Sequence, residues 1–353
     1  MFWVLYIAAM AALISIVHHW PFLSAMAAQL GKRSMSGSSI GKAVGKAAGA
    51  DGASPQFDTE EGETVAGPLV EYPADKRVME LFEEQVGKQP SAVALIQDGA
   101  HELSYADLNR AAEQVANEIL DVGISVGDEA ALILDRSVAQ VVAIYGVLKA
   151  GAANVPVDFD APPQHKQFLV AESGAKVMIA ADSSESMASQ LFPDYWTLLL
   201  DSHRGAIERP IRGHEAPKER SRPSETDMAL LIYTSGTTGQ PKGIIYSHTH
   251  LMHGSYFMGW QCEMSSKSVS MPKSPYIWAV IEYEMFPSMI NGGKMFIASS
   301  TGHKSPEYLA ENIERFVTPS HGEMDKPLET DKPSSIRETQ RRSESWCSWA
   351  PLQ

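Results

Sequence analysis

Met228-Ala229-Leu230-Leu231-Ile232-Tyr233-Thr234-Ser235-Gly236-Thr237-Thr238-Gly239-Gln240-Pro241-Lys242-Gly243-Ile244-Ile245-Tyr246-Ser247-His248 is the stretch on which the fold turns. Its first six residues form an apolar run of strand length. The run opens into small and hydroxyl-bearing residues that let a backbone approach an anion closely. Thr234, Ser235, Thr237 and Thr238 supply hydroxyls, Gly236 and Gly239 leave N–H groups accessible, and Lys242 adds a point charge suited to β- and γ-phosphates. The pattern is not a Walker A loop, because Pro241 precedes Lys242 and Gly243 follows it. No helix follows either. Ile244 to Tyr246 reads as a second strand, so the loop has the form of a hairpin tip that binds polyphosphate. The alternative is a polar Gly/Thr turn without a ligand, against which the length and restrictiveness of the run argue.

Working outward, the pattern stays regular from about Tyr72 to Phe316. Val78, Leu81, Phe82 and Val86 mark a helix face, and Ala92 to Ile96 is a short strand. Leu103-Ser104-Tyr105 leads into a helix through Leu108, Ala112, Val115, Ile119 and Leu120. Ala131 to Leu134 reads as a buried strand. Val138, Val141, Val142, Tyr145 and Leu148 make a helix that ends at Gly151. Asn154 to Val157 and Val177 to Ala180 are further strands. Strands alternating with helices predict an α/β fold with a mainly parallel sheet covered on both faces. Ligands in such folds sit beyond the carboxyl ends of strands.

The chain has 353 residues, 44% of them hydrophobic, and a net charge of -14. That composition excludes wholesale disorder, and the acidic balance argues against nucleic acid as a partner. Two cysteines, Cys262 and Cys347, exclude a disulfide scaffold or a Cys-rich zinc module. No metal-ligand pattern stands out. Residues 1–30 are apolar and uncharged. They read as a membrane anchor that leaves the domain in the cytoplasm, since Lys32, Arg33, Lys42 and Lys46 follow. A secretory signal peptide or a misassigned start are the alternatives. Residues 31–71 are Gly/Ser/Ala-rich and read as a flexible linker, and 317–353 as a disordered tail.

The signature run resembles that of the adenylate-forming (AMP-binding) enzymes: acyl-CoA synthetases, luciferases and the adenylation domains of nonribosomal peptide synthetases. Three further stretches point to the adenylation domains. They are Leu103-Ser104-Tyr105-Ala106-Asp107-Leu108-Asn109, Leu148-Lys149-Ala150-Gly151-Ala152-Ala153-Asn154-Val155-Pro156-Val157-Asp158, and Gly292-Gly293-Lys294 through Gly302-His303-Lys304-Ser305-Pro306. Within the first two, Tyr105 and Leu108 read as a strand-to-helix joint, and Gly151 and Pro156 as turn and strand-entry devices.

The resemblance implies a partial large domain over 72–316, with mainly parallel sheets flanked by helices and the C-terminal lid domain missing. It also implies ATP and Mg2+ as cofactors, a small carboxylic acid as substrate, and the thiol of coenzyme A or of a carrier protein's phosphopantetheine as acceptor. Thr234, Ser235, Gly236, Thr237, Thr238, Gly239 and Lys242 would then hold the departing pyrophosphate. No residue takes a catalytic role, because no lid lysine is found; Lys326 and Lys332 match nothing. Trp278, Ala279, Val280 and Tyr283 match an apolar substrate-pocket helix, with plain core as the alternative. His248 and His253 could face the nucleotide but read more simply as structural or solvated.

By this matching, Ala279 stands where peptide synthetase domains carry an Asp that pairs with the substrate α-ammonium. A buried ammonium without a counter-charge is strongly unfavourable. The expected substrate is therefore an aryl, keto or hydroxy acid, or an ω-amino acid, with decay of an unused pocket as the alternative. After Phe316 the adenine-, ribose- and lid-matching stretches are not found, so the chain is expected to be truncated. An inactive relic or nucleotide-binding module, and a membrane-anchored acyl-CoA synthetase relative, stand as alternative readings.

Overall fold

The computed structural model describes residues 70–97, 102–211, 220–234 and 241–317. The readings of residues 1–30, of most of the linker and of the tail beyond 317 lie outside these. Among the described residues no helix is long and apolar enough to cross a membrane.

The helices are α1 (Val78–Lys88), α2 (Tyr105–Asp121), α3 (Val138–Lys149), α4 (Pro163–Ser173), α5 (Glu185–Leu191), α6 (His248–Gln261), α7 (Ile281–Ile290) and α8 (Pro306–Val317). The strands are β1 (Val93–Gln97), β2 (Glu102–Ser104), β3 (Glu129–Ile133), β4 (Ala153–Pro156), β5 (Val177–Ala181), β6 (Trp196–Leu200), β7 (Ile207–Arg209), β8 (Met228–Thr234), β9 (Lys242–Ser247), β10 (Val269–Ser270) and β11 (Lys294–Ile297).

They form two sheets rather than one. The larger has the order β7-β6-β5-β3-β4-β8-β9. Its five inner strands are parallel, and the edge strands β7 and β9 are antiparallel to their neighbours. The smaller has the order β10-β11-β1-β2, parallel except for β2.

Side-chain alternation assigns each face. On β3, Ala130 and Leu132 point into a core shared with α1, α2, α3, α6 and α7, while Ala131 and Ile133 face the opposite side, over Val170 of α4 and Ala188 of α5. On the smaller sheet, Ile96 and Phe296 meet Tyr308, Leu309 and Ile313 of α8. Each sheet thus has helices on both faces, as parallel strands require.

The joints are local. Ser104 caps α2: its hydroxyl accepts from the Asp107 N–H at 3.1 Å, and the Asp107 carboxylate accepts from the Ser104 N–H at 3.3 Å. Tyr105 is fully buried, and its hydroxyl lies 2.8 Å from the Gly293 carbonyl and 3.1 Å from that of Met289, tying α2 to the end of α7. Every residue of α3 but Gln140 is buried, which makes it the central helix; the ammonium of Lys149 at its end is held by Glu83 and Glu113. Gly151 has φ 79°, and a Cβ there would lie 2.8 Å from Val126.

Candidate active site

β8 leaves the core at its carboxyl end: Ala229 to Ile232 are buried, Tyr233 half-buried and Thr234 exposed. β9 returns antiparallel, pairing Tyr233 with Gly243 and Thr234 with Lys242. β8 and β9 therefore form an antiparallel pair on either side of the Gly/Thr run, as the sequence predicts. Thr234 and Lys242 form the last pair, with the Thr234 hydroxyl donating to the Lys242 carbonyl at 3.4 Å. Lys242 is exposed, and among the described residues no carboxylate pairs with its ammonium. Ser235, Gly236, Thr237, Thr238 and Gly239 lie outside the described residues. What is described fits a phosphate chain: one ammonium and one hydroxyl side by side at an open strand end. No group of three or more His, Cys, Asp or Glu among the described residues could hold a metal ion.

The hairpin runs directly into α6. Ser247 caps that helix, its hydroxyl accepting from the His250 N–H at 3.3 Å. His248 turns inward. It is 2% exposed, and neither ring nitrogen has a hydrogen-bond partner among the described residues. Burial, reinforced by the nearby Arg77 charge, pushes its pKa down to about 4, so the ring is neutral at physiological pH. His253 is exposed and stands edge-on to Tyr72, ring centroids 5.3 Å apart.

Trp278, Ala279 and Val280 do not lie on a helix. They form a turn that precedes α7, held by the Trp278 N–H donating to Pro275 at 3.0 Å and the Ile281 N–H donating to Trp278 at 3.1 Å. Trp278 is 50% exposed, Ala279 and Val280 are half-buried, and only Tyr283, also half-buried, sits on α7.

A clamp that sequence reading missed holds the chain entering this turn. Arg136 donates to the carbonyls of Pro272, of Lys273 at 2.8 Å and of Ser274 at 3.1 Å. Glu284 accepts from the N–H groups of Lys273 at 3.0 Å and Ser274 at 2.9 Å, and from the Ser274 hydroxyl at 2.8 Å. Three carbonyls are thus fixed by one half-buried cation, and two N–H groups of the same stretch by one buried anion.

Glu282, two residues earlier, was missed as well. It is 2% exposed, and its Oε2 has no hydrogen-bond partner among the described residues. Burial pushes its pKa up to about 8, offset in part by a hydrogen bond with Tyr283. Its charge in turn adds to the burial that raises Tyr246. Gly254 of α6 permits this arrangement: a Cβ there would sit 2.9 Å from Tyr283 Cε1 and 3.2 Å from Glu282 Oε1. The available signal was a pair of acids inside an otherwise apolar run, Ile281-Glu282-Tyr283-Glu284-Met285.

Comparison with known proteins supplies the family. The model described as AMP-binding enzyme matches residues 82–318. Surfactin synthase subunit 2 of Bacillus subtilis is 31% identical over 65% of this chain, tyrocidine synthase 1 of Brevibacillus parabrevis 30% over 71%, and zwittermicin A synthase ZmaJ of Bacillus cereus 32% over 67%. The chain spans 6%, 23% and 43% of those proteins respectively. Among solved structures, the N-terminal subdomain of Klebsiella oxytoca NpsA in complex with 3-hydroxyanthranilyl-AMSN superposes with a TM-score of 0.54 at 23% identity, covering 68% of this chain and 58% of that one. A putative long-chain-fatty-acid CoA ligase from Rhodopseudomonas palustris gives a TM-score of 0.57 at 18% identity, covering 69% and 61%. Both likenesses are of fold.

Proposed function

Because the chain belongs to the AMP-binding enzyme family, we propose that residues 72–316 form the first portion of an adenylation domain that activates a carboxylic acid at the expense of ATP. A carboxylate oxygen attacks the α-phosphorus, the bond to the bridging oxygen breaks, and pyrophosphate leaves. A thiol of coenzyme A or of a carrier-protein phosphopantetheine then takes the acyl group. Mg2+ would neutralise phosphate charge in this chemistry. The remainder is positioning and electrostatic stabilisation. Thr234 and Lys242, with Ser235, Gly236, Thr237, Thr238 and Gly239 between them, hold the β- and γ-phosphates.

The observation that carries this reading is the register of the β8–β9 hairpin. It sets a hydroxyl and an ammonium that has no ion pair among the described residues next to each other at the carboxyl end of a strand, where α/β folds bind ligands. The acid enters beside Trp278, Ala279, Val280 and Tyr283. Ala279 offers no counter-charge for an α-ammonium, which favours an aryl, keto, hydroxy or ω-amino acid; the aryl acyl analogue named with NpsA is a precedent on this fold.

The test is ATP titration of the full chain by calorimetry, with Lys242→Ala beside the unmodified protein. Loss of the charge-assisted contact is expected to weaken ATP about tenfold or more. Unchanged affinity would remove Lys242 from the site. ATP binding without acid-dependent pyrophosphate exchange would instead describe a nucleotide-binding module.

A further inference from the structure

α7 carries two buried glutamates with opposite fates. Glu284 has three donors and a nearby guanidinium. Among the described residues Glu282 has no cation beside it, and one of its oxygens has no partner. A carboxylate taken out of water without a counter-charge costs several kcal/mol unless something else supplies that charge. Gly254, opposite, has given up its own side chain so that Glu282 and Tyr283 fit against α6. Tyr246 and Tyr283, both half-buried, stand near the carboxyl. Ala279, where an acid is missing, lies three residues before Glu282, at the mouth of the same helix.

We propose that Glu282 is a specificity-determining residue of the carboxylate pocket and pairs with an ammonium carried by the substrate at a distance from its reacting carboxyl. The inference rests on the carboxylate-activating reading above and narrows its substrate class to ω-amino and ring-amino acids. An ammonium at Oε2 makes a charge-assisted hydrogen bond and restores the missing counter-charge in one step. A keto or hydroxy acid of the same shape would bring no cation to draw off the proton that burial keeps on the carboxyl, and would gain no such contact. Tyr246 and Tyr283 add ring faces that attract a cation.

The experiment uses the full chain and two matched pairs of acids, 4-aminobutyrate with butyrate and 3-aminobenzoate with benzoate, titrated by calorimetry with ATP titrated in parallel. In the unmodified protein at least one amine-bearing acid is expected to bind tenfold or more tighter than its partner. Glu282→Gln should abolish that preference and leave ATP affinity within twofold, which also reports that the variant is folded. Glu282→Asp should retain part of the preference. Equal affinities within both pairs in the unmodified protein, or no binding of any of the four acids, would overturn the proposal without need of a variant. A preference that survives Glu282→Gln would overturn it too. Loss of ATP binding with the amine preference intact would strike the carboxylate-activating reading and leave the role of Glu282 standing.

Discussion

The Pro272–Ser274 clamp and the seam between α6 and α7 each bury a glutamate of α7, Glu284 in the first and Glu282 in the second, yet they handle charge in opposite ways. In the clamp the peptide groups are matched, Arg136 taking the three carbonyls and Glu284 the two N–H groups, and of its charged side chains only the Arg136 Nε lacks a partner among the described residues. Glu282 in the seam and His248 at the start of α6 are each 2% exposed and carry nitrogen or oxygen atoms with no partner among the described residues. Satisfied polar groups rigidify a fold. Unsatisfied ones shift their pKa or await a ligand. The first region reads as scaffold for the turn that bears Trp278, the second as a place where chemistry or recognition is paid for in stability.

The sharpest way to break this contrast is to remove one side of the clamp. Glu284→Ala leaves two N–H groups and a hydroxyl without their acceptor and the nearby half-buried guanidinium without its counter-charge, so a loss of about 3–5 kcal/mol is expected. At about 2–4 °C per kcal/mol for a domain of this size, the midpoint in a thermal scan should fall by ~10 °C. A loss below ~1 kcal/mol would mean that the clamp is ornamental.

Glu282→Gln should do the reverse. The folded pKa of about 8 lies above the unfolded value. The folded state therefore holds a proton that the unfolded chain gives up, and stability falls as pH rises from about 4.5 to 8. The substitution removes that slope and stabilises the free protein at pH 8.5 by something on the order of 3 kcal/mol. Denaturant midpoints across that range would check it, and an unchanged slope would show that the carboxyl is solvated or paired.

His248 gives a smaller effect at the other end of the scale. Its folded pKa of about 4 lies below the unfolded value. The unfolded state takes the proton first, and stability is lost as pH falls from about 6.5 to 4. His248→Gln should flatten this limb by on the order of 2 kcal/mol in the same measurements.

Much of this was legible in the residues. The alternation of apolar strands with 3.6-period helices locates α1, α2, α3, β1, β3, β4, β5, β8 and β9, because those segments are long or strongly patterned. The hairpin was legible because no helix pattern follows Lys242. The second sheet was not, since it depends on β1 pairing with β11 some two hundred residues later, a contact that no local pattern encodes. β7 and β10 are short, and α4, which buries Lys166 and Ser173, shows no clean apolar face. The apolar run Trp278-Ala279-Val280 flows into α7 without a break in composition, so the turn before the helix was hidden. Glu282 and Glu284 are visible as acids in an apolar stretch. Which one would be satisfied depends on where Arg136 and Gly254 arrive, and only tertiary packing decides that.

The claim beneath all of this is that the tip between Thr234 and Lys242 holds the phosphates of a nucleotide. Calorimetric titration of ATP into the full chain and into Lys242→Ala tests it most directly. The expected result is an affinity about tenfold weaker in the variant, with thermal stability unchanged to within ~0.5 kcal/mol because Lys242 is exposed and without an ion pair among the described residues. Equal affinities for ATP in the two proteins would contradict it.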